Sequence, residues 1–348
     1  MIDEASSAVN RRWHEGRYSV FGIGNPLMDY VAYEEYELLD LLGATAGTMN
    51  LIDRDQRERL LARLKHYYTI PGGSCANTIR GIAWLAEADP LPVPCLSGAV
   101  GRDEIGDCYT AEIAKLGIES RIVRKPCETG VSTIIVTPDC ERTMFTFLGA
   151  CREFATEDLD LGILDQARCL HVAGYMWDTD AQKQATVAAV ARARRIGLRI
   201  SFDLADPFVV QRYREDFLEW IPGTVDVLFG NREEIGLMMQ AAGAEDEQLI
   251  RRIGSMVPLV AMKVGARGCY VCNRGRVLFF PGVEAKAVDT TGAGDFFAAG
   301  FLFGLIKGEE LEATAELANR FGAAIVEVEG SSLVRLDQRE ILLSSERH

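Results

Sequence analysis

Apolar, strand-length runs alternate with helical stretches along most of this chain, and that alternation constrains the fold more than any other feature. Strand-like runs cover residues 18–24, 94–100, 169–174, 199–204, 225–230 and 259–264. Helical patterns cover 53–65, 76–86, 105–116, 180–196, 207–219, 232–241 and 246–255. Strands separated by helices line up in parallel, and a parallel sheet needs apolar cover on both faces. The expected class is therefore α/β, with ligands at the carboxyl ends of the strands. The rhythm changes between 119 and 149, where 119–124, 132–138 and 143–149 read as short β segments. The last two are joined hairpin-fashion by Asp139-Cys140-Glu141-Arg142. With residues around 30–50, the hairpin reads as a small β lid standing off the main sheet. No repeat or linker divides the chain, which predicts an extension (1–17), one domain (18–335, lid segments near 27–50 and 118–150) and a tail (336–348).

Composition narrows the function. The 348 residues are 48% hydrophobic with a net charge of -14, enough for a sizeable core but the wrong sign for nucleic acid or an anionic membrane. The longest apolar helical run, 296–306, is too short to span a bilayer. Asp3, Glu4, Arg11, Arg12 and Glu15 stand where a signal peptide would be apolar. Nine cysteines without framework spacing point to free thiols and a cytoplasmic enzyme. Cys269 and Cys272 form a C-x-x-C inside a strand-like run with no second pair, which reads as structural. His14, His66, His171 and His348 give little material for a hydrolase triad or a His-rich metal site.

Two glycine-rich turns carry the chemistry. Asp289-Thr290-Thr291-Gly292-Ala293-Gly294-Asp295 opens an apolar helix, so bare N–H groups and the positive helix end converge on an anion such as phosphate. The Asp295 carboxylate in the first turn is placed to take a proton from an attacking hydroxyl. A tight turn with an acidic helix start is the plainer reading of the shortest part of that string. The second turn is Pro71-Gly72-Gly73-Ser74-Cys75-Ala76-Asn77, with Ser74 a plausible helix cap. Gly22-Ile-Gly24-Asn25-Pro26-Leu27 lacks the third glycine of a dinucleotide fingerprint, and no G-x-x-x-x-G-K-[ST] string occurs.

Together these strings resemble the signatures of the ribokinase-like (PfkB) family of sugar and nucleoside kinases, from about Tyr18 to Gly330. The resemblance implies a three-layer sandwich with a mostly parallel central sheet and a small β lid. It implies Asp295 as general base and Gly292, Ala293 and Gly294 as anion hole. It also implies backbone contact with the acceptor at Gly72 and Gly73, and hydroxyl recognition by Asn77, Asn25 and Asp29. Asn231-Arg-Glu-Glu234 matches the element that organises Mg²⁺ and phosphate, with Glu234 acting through water. Lys263-Val-Gly265-Ala-Arg-Gly268 resembles the nucleotide loop, with Lys263 where threonine is more usual, which leaves that side chain's role open. Asn319 falls where relatives contact adenine, and backbone oxygens near Asp289 fall where members bind K⁺.

Within the family, Gly24-Asn25-Pro26-Leu27-Met28-Asp29, the Thr137-Pro138-Asp139 turn with Arg142, and Phe147-Leu148-Gly149 look more like adenosine-kinase-type members than ribokinases. That likeness places Arg142 over the transferred phosphate and makes Tyr175 and Met176 candidates for stacking on a base; a solvated arginine and core packing are the plainer readings of these residues. The expected activity is ATP-dependent phosphorylation of a primary hydroxyl of a nucleoside, adenosine first, by a monomer or homodimer. A sugar kinase acting on ribose, fructose or a related sugar is the alternative, and a binding protein without turnover a third reading, which the intact Asp295 opposes.

Overall fold

The computed structural model describes residues 16–343; all but the end of the expected extension, and the last five residues of the expected tail, lie outside that range. Fourteen strands are formed among the described residues: β1 (Phe21–Ile23), β2 (Leu27–Tyr33), β3 (Met49–Leu51), β4 (Tyr68–Gly72), β5 (Cys95–Gly101), β6 (Glu119–Lys125), β7 (Val131–Val136), β8 (Arg142–Phe147), β9 (Cys169–Ala173), β10 (Arg199–Asp203), β11 (Val227–Asn231), β12 (Leu259–Lys263), β13 (Gly268–Asn273) and β14 (Arg276–Pro281). Nine of them make one sheet in the order β14-β13-β12-β11-β10-β9-β1-β5-β6. Pairing is parallel from β6 to β12, and the β12–β13–β14 meander is antiparallel. The central strands β5 and β9 are buried at every position, as cover on both faces demands.

The other five strands form the small sheet, β3-β8-β7-β2-β4. Its β7–β8 hairpin is the one expected from the Asp139–Arg142 turn. One boundary needs correction. The segment 119–124 was expected in the lid, yet β6 pairs with β5 along its whole length, from Cys95↔Glu119 to Gly101↔Lys125, and so belongs to the main sheet. It is the sheet's edge, half-buried throughout and rich in charge at Glu119, Arg121, Arg124 and Lys125. Charged side chains are how edge strands resist further pairing, and here they mimic a solvated insertion. At the lid's own edge, β4 is a strand that the periodicity did not announce, with Pro71 tolerated in that edge position. The tail is also tied down: residues Gln338–Leu342 form a helix with Ile341 buried, and Gln338 Nε2 donates to the Trp84 carbonyl at 2.8 Å.

One apolar cluster lies on each face of the large sheet. On one face the helices Ser74–Ala88, Ala293–Lys307 and Leu311–Ile325 pack through small residues and phenylalanines. A Cβ at Gly81 would fall 2.6 Å from Ala299 Cβ and 3.0 Å from Phe296 Cδ1, so the first two helices touch almost backbone to backbone. This contact delivers Asn77 and Asp295 to the same point. We predict that Gly81→Val lowers stability by about 2 kcal/mol, as over-packing does, read as an earlier thermal unfolding midpoint. An unchanged midpoint would show that the contact has slack.

Candidate active site

The helix Ala293–Lys307 starts from Gly292, whose φ of +78° suits glycine, and no side chain caps it. The first-turn N–H groups are thus left for a ligand. The turn is held from behind. Asp289, fully buried, accepts from the N–H of Thr291 at 2.8 Å and of Gly330 at 2.9 Å, while Ser331 Oγ donates to the Thr291 carbonyl at 2.6 Å. The Asp289 side chain therefore fastens the loop. Gly292 and Gly294 line a cavity of about 260 Å³, whereas Ala293 packs against the core.

Asp295 opens into the same cavity with both carboxylate oxygens engaged. Ser74 Oγ donates to Oδ1 at 2.7 Å and Asn77 Nδ2 to Oδ2 at 2.9 Å. Burial pushes the Asp295 pKa up, and the Ser74 and Asn77 hydrogen bonds pull it back. Ser74, read from sequence as a helix cap, is not one: Gly73 occupies the N-cap position and the hydroxyl goes to Asp295. Asn77, expected to bind an acceptor hydroxyl, lines the cavity but spends its side chain otherwise. Its amide orients Asp295, and its carbonyl accepts from the buried Arg80 at 2.9 Å. Arg80 also ties down the Pro71 carbonyl at 2.6 Å.

Lys263 reaches the Gly292–Gly294 turn from the end of β12. A Cβ on Gly294 would lie 3.0 Å from Lys263 Nζ, so the ammonium sits against the helix tip. It is held by Asp203 Oδ2 at 3.1 Å. Burial opposes the lysine's charge, but Asp203 and Glu234 outweigh it and the pKa is raised. Glu234 closes a capping box with Asn231, accepting from that residue's N–H and Nδ2, each at 2.7 Å. Burial lifts the Glu234 pKa to about 7 despite Lys263. Among the described residues no cluster of three or more His, Cys, Asp or Glu side chains is disposed to hold a metal ion alone.

The far end of the cavity is built from β2 and the turn before it. Asn25 Oδ1 accepts from the buried Gln182 Nε2 at 2.7 Å, which fixes the amide and leaves its NH₂ group for a ligand. Asp29 makes no side-chain hydrogen bond among the described residues, lines the cavity and is 6% exposed. Burial raises its pKa to about 8 in spite of Arg80. Its carboxylate occupies the space above Gly72, where a Cβ would lie 1.9 Å from Oδ2. Gly72 itself is not part of the cavity wall; Gly73 is, at φ +96°.

Beyond these residues the wall turns apolar. Leu27, Met49, Ile134 and Leu148 come from the lid side, and Tyr175, Val209, Phe208 and Tyr213 from the main body. Met176 adjoins the same cavity but is fully buried among the core residues beneath it, so it backs the wall. Arg142, at the start of β8, lines the cavity, and its guanidinium makes no hydrogen bond or ion pair among the described residues.

Two expected contacts are absent from this wall. Asn319 donates to the carbonyls of Phe280 at 3.3 Å and Pro281 at 3.0 Å, so its amide is spent on β14. Gly268, unlike Gly265, is outside the cavity; it permits close approach of strands, since a Cβ would fall 2.2 Å from the Phe280 carbonyl. Cys269 and Cys272 lie buried in β13 as free thiols. Sequence reading missed Ser74 as a partner of Asp295, and missed Arg80, Gln182 and Asp203. Only Asp203 carries a signal, an acid at the carboxyl end of a parallel strand.

Comparison with known proteins gives the family and the fold. Residues 36–338 match the pfkB family carbohydrate kinase profile. The chain belongs to that family. This pfkB kinase is similar to the solved adenosine kinase from Sinorhizobium meliloti, at 33% identity and a TM-score of 0.85, covering 90% of this chain and 95% of the other. It is as similar to a probable sugar kinase from Rhizobium etli, at 31% identity and a TM-score of 0.86, covering 91% and 95%. The adenosine kinase of Saccharomyces cerevisiae is 25% identical over 330 residues, 89% of this chain and 95% of that one. The fold is ribokinase-like and of the adenosine-kinase type, and family membership implies use of ATP.

The raised Asp29 pKa gives a test. Because the folded value of about 8 lies above the ordinary 3.8, the native state binds the extra proton. Its stabilising contribution is full below about pH 4 and is lost as pH rises through 8. Ligand-free Asp29→Asn should therefore gain stability over the wild-type kinase as pH is raised from 5 to 8, measured by urea unfolding. A pH-independent difference would contradict the burial of an unpartnered carboxyl.

Proposed function

We propose that this kinase transfers the terminal phosphoryl group of ATP to a primary hydroxyl of a nucleoside, adenosine first. One observation supports that acceptor above others. The polar end at Asn25 and Asp29 fits a vicinal diol, and next to it the cavity continues into a wall of Leu27, Ile134, Leu148, Tyr175 and Phe208. A carboxylate accepts from two neighbouring hydroxyls at once. A free sugar has no flat apolar part to cover the remaining wall, whereas a nucleobase does.

In this reading the ribose is gripped by Asp29 and Asn25 so that its primary hydroxyl meets Asp295. Ser74 and Asn77 keep that carboxylate aimed, and Asp295 takes the hydroxyl proton as the oxygen attacks. Gly292 and Gly294, with the Lys263 ammonium beside them, stabilise charge on the moving phosphoryl group. Arg142 adds a guanidinium from the lid, where a planar fork suits phosphate oxygens. Closure of the lid keeps water from the donor.

Mg²⁺ fits the donor end. Asp203, Glu234 and Asp295 set three carboxylates around one ammonium, a site short of positive charge. Glu234 already accepts two hydrogen bonds from Asn231, which suits contact through water, as Mg²⁺ favours. The ion's contribution is neutralisation of the donor phosphates. The sugar-kinase alternative draws on the equal similarity to the Rhizobium etli protein.

Asp295→Asn should lower kcat by about a thousandfold while leaving ATP affinity largely unchanged; comparable activity would remove the base from the scheme. A coupled ADP-release assay over adenosine, other nucleosides, ribose and fructose should show turnover on nucleosides. Turnover confined to free sugars would overturn the assignment.

A further inference from the structure

Among the described residues seven charged side chains line the cavity, and six have a place in the scheme above: Asp29, Arg142, Asp203, Glu234, Lys263 and Asp295. The seventh, Asp178, has none. We propose that Asp178 selects a base bearing an exocyclic amino group; the inference rests on the nucleoside reading and specifies its acceptor class.

Asp178 follows the short turn Gly174–Trp177 at the end of β9, and its N–H donates to the Tyr175 carbonyl at 3.3 Å, which ties it to the residue offered for stacking. Its side chain is 12% exposed, so the carboxylate is largely withdrawn from bulk water. Among the described residues it makes no side-chain hydrogen bond. Its ion-pair partner, Arg212 Nη1, stands 3.5 Å from Oδ1, beyond the 2.7–2.9 Å typical of a charge-assisted hydrogen bond. Arg212 is engaged elsewhere: its guanidinium lies 5.3 Å from the Tyr213 ring centroid and 6.0 Å from that of Phe208. Both rings belong to the cavity wall. Asp178 is thus an acid set among the aromatic side chains that would cover a base, with lone pairs to spare.

An ionised carboxylate only accepts hydrogen bonds. In a partly desolvated wall it favours a ligand that brings N–H donors and disfavours one that leaves it unpaired. An amino group at the edge of a base supplies such a donor.

Adenosine and purine riboside differ by that amino group alone, so their kcat/KM ratio isolates it. The wild-type kinase should prefer adenosine by about tenfold or more. In Asp178→Ala the ratio should fall towards one, mainly through loss of adenosine turnover, while Arg212→Ala should keep it. An Asp178→Ala variant that slows both substrates equally would reduce Asp178 to a structural residue and overturn the proposal. Collapse of the ratio in Arg212→Ala would overturn it too, by assigning selection to the ion pair. If the wild-type kinase phosphorylates ribose or fructose but neither nucleoside, the nucleoside reading fails first, and the proposal with it.

Discussion

The catalytic arrangement hangs on one contact, the pair of hydrogen bonds that Ser74 and Asn77 give to the Asp295 carboxylate. The partners are separated by 221 and 218 residues in sequence. They meet because the helices Ser74–Ala88 and Ala293–Lys307 cross closely at Gly81 and Ala299. Burial alone favours the protonated form of a carboxylate; the two hydrogen bonds oppose that rise and keep the group aimed. The thermodynamic cost of burying it is met within the fold, before any ligand arrives. The arrangement is thereby preorganised.

Electrostatics then divide the cavity into two ends. At one, the Lys263 ammonium lies against the helix tip at Gly294, and Asp203 and Glu234 favour its charge. At the other, Asp29 sits buried over Gly72 with no side-chain hydrogen bond among the described residues, its pKa lifted to about 8 by that burial. An unpartnered acid of this kind is poised for hydroxyl donors, which would relieve its desolvation. The lid sheet closes the space between the ends, and it contributes both an apolar surface and Arg142.

Much of this was readable in the chain because glycine-rich turns leave a signature that needs no tertiary context. Gly292, Gly294 and Gly73 stand in the cavity wall as their strings implied, and the apolar runs of the central strands located the sheet. What escaped was set by long-range contacts. Edge strands β4 and β6 carry no continuous apolar run, so one went unread and the other was assigned to the lid. Asn77 and Ser74 looked like a ligand-binding amide and a cap, because nothing in the local string reveals Asp295 across the helix pair. Gln182, inside an ordinary helical pattern, gives no hint that it fixes Asn25. Asn319 was misjudged for a related reason, since its amide is consumed by backbone carbonyls of β14.

A crystal structure with adenosine and a non-hydrolysable ATP analogue bound together tests the central claim most directly. The account predicts the terminal phosphate on the N–H groups of Gly292–Gly294, with the primary hydroxyl within about 2.6–3.2 Å of the Asp295 carboxylate. A terminal phosphate seated away from that helix tip, or a hydroxyl oriented away from Asp295, would contradict it.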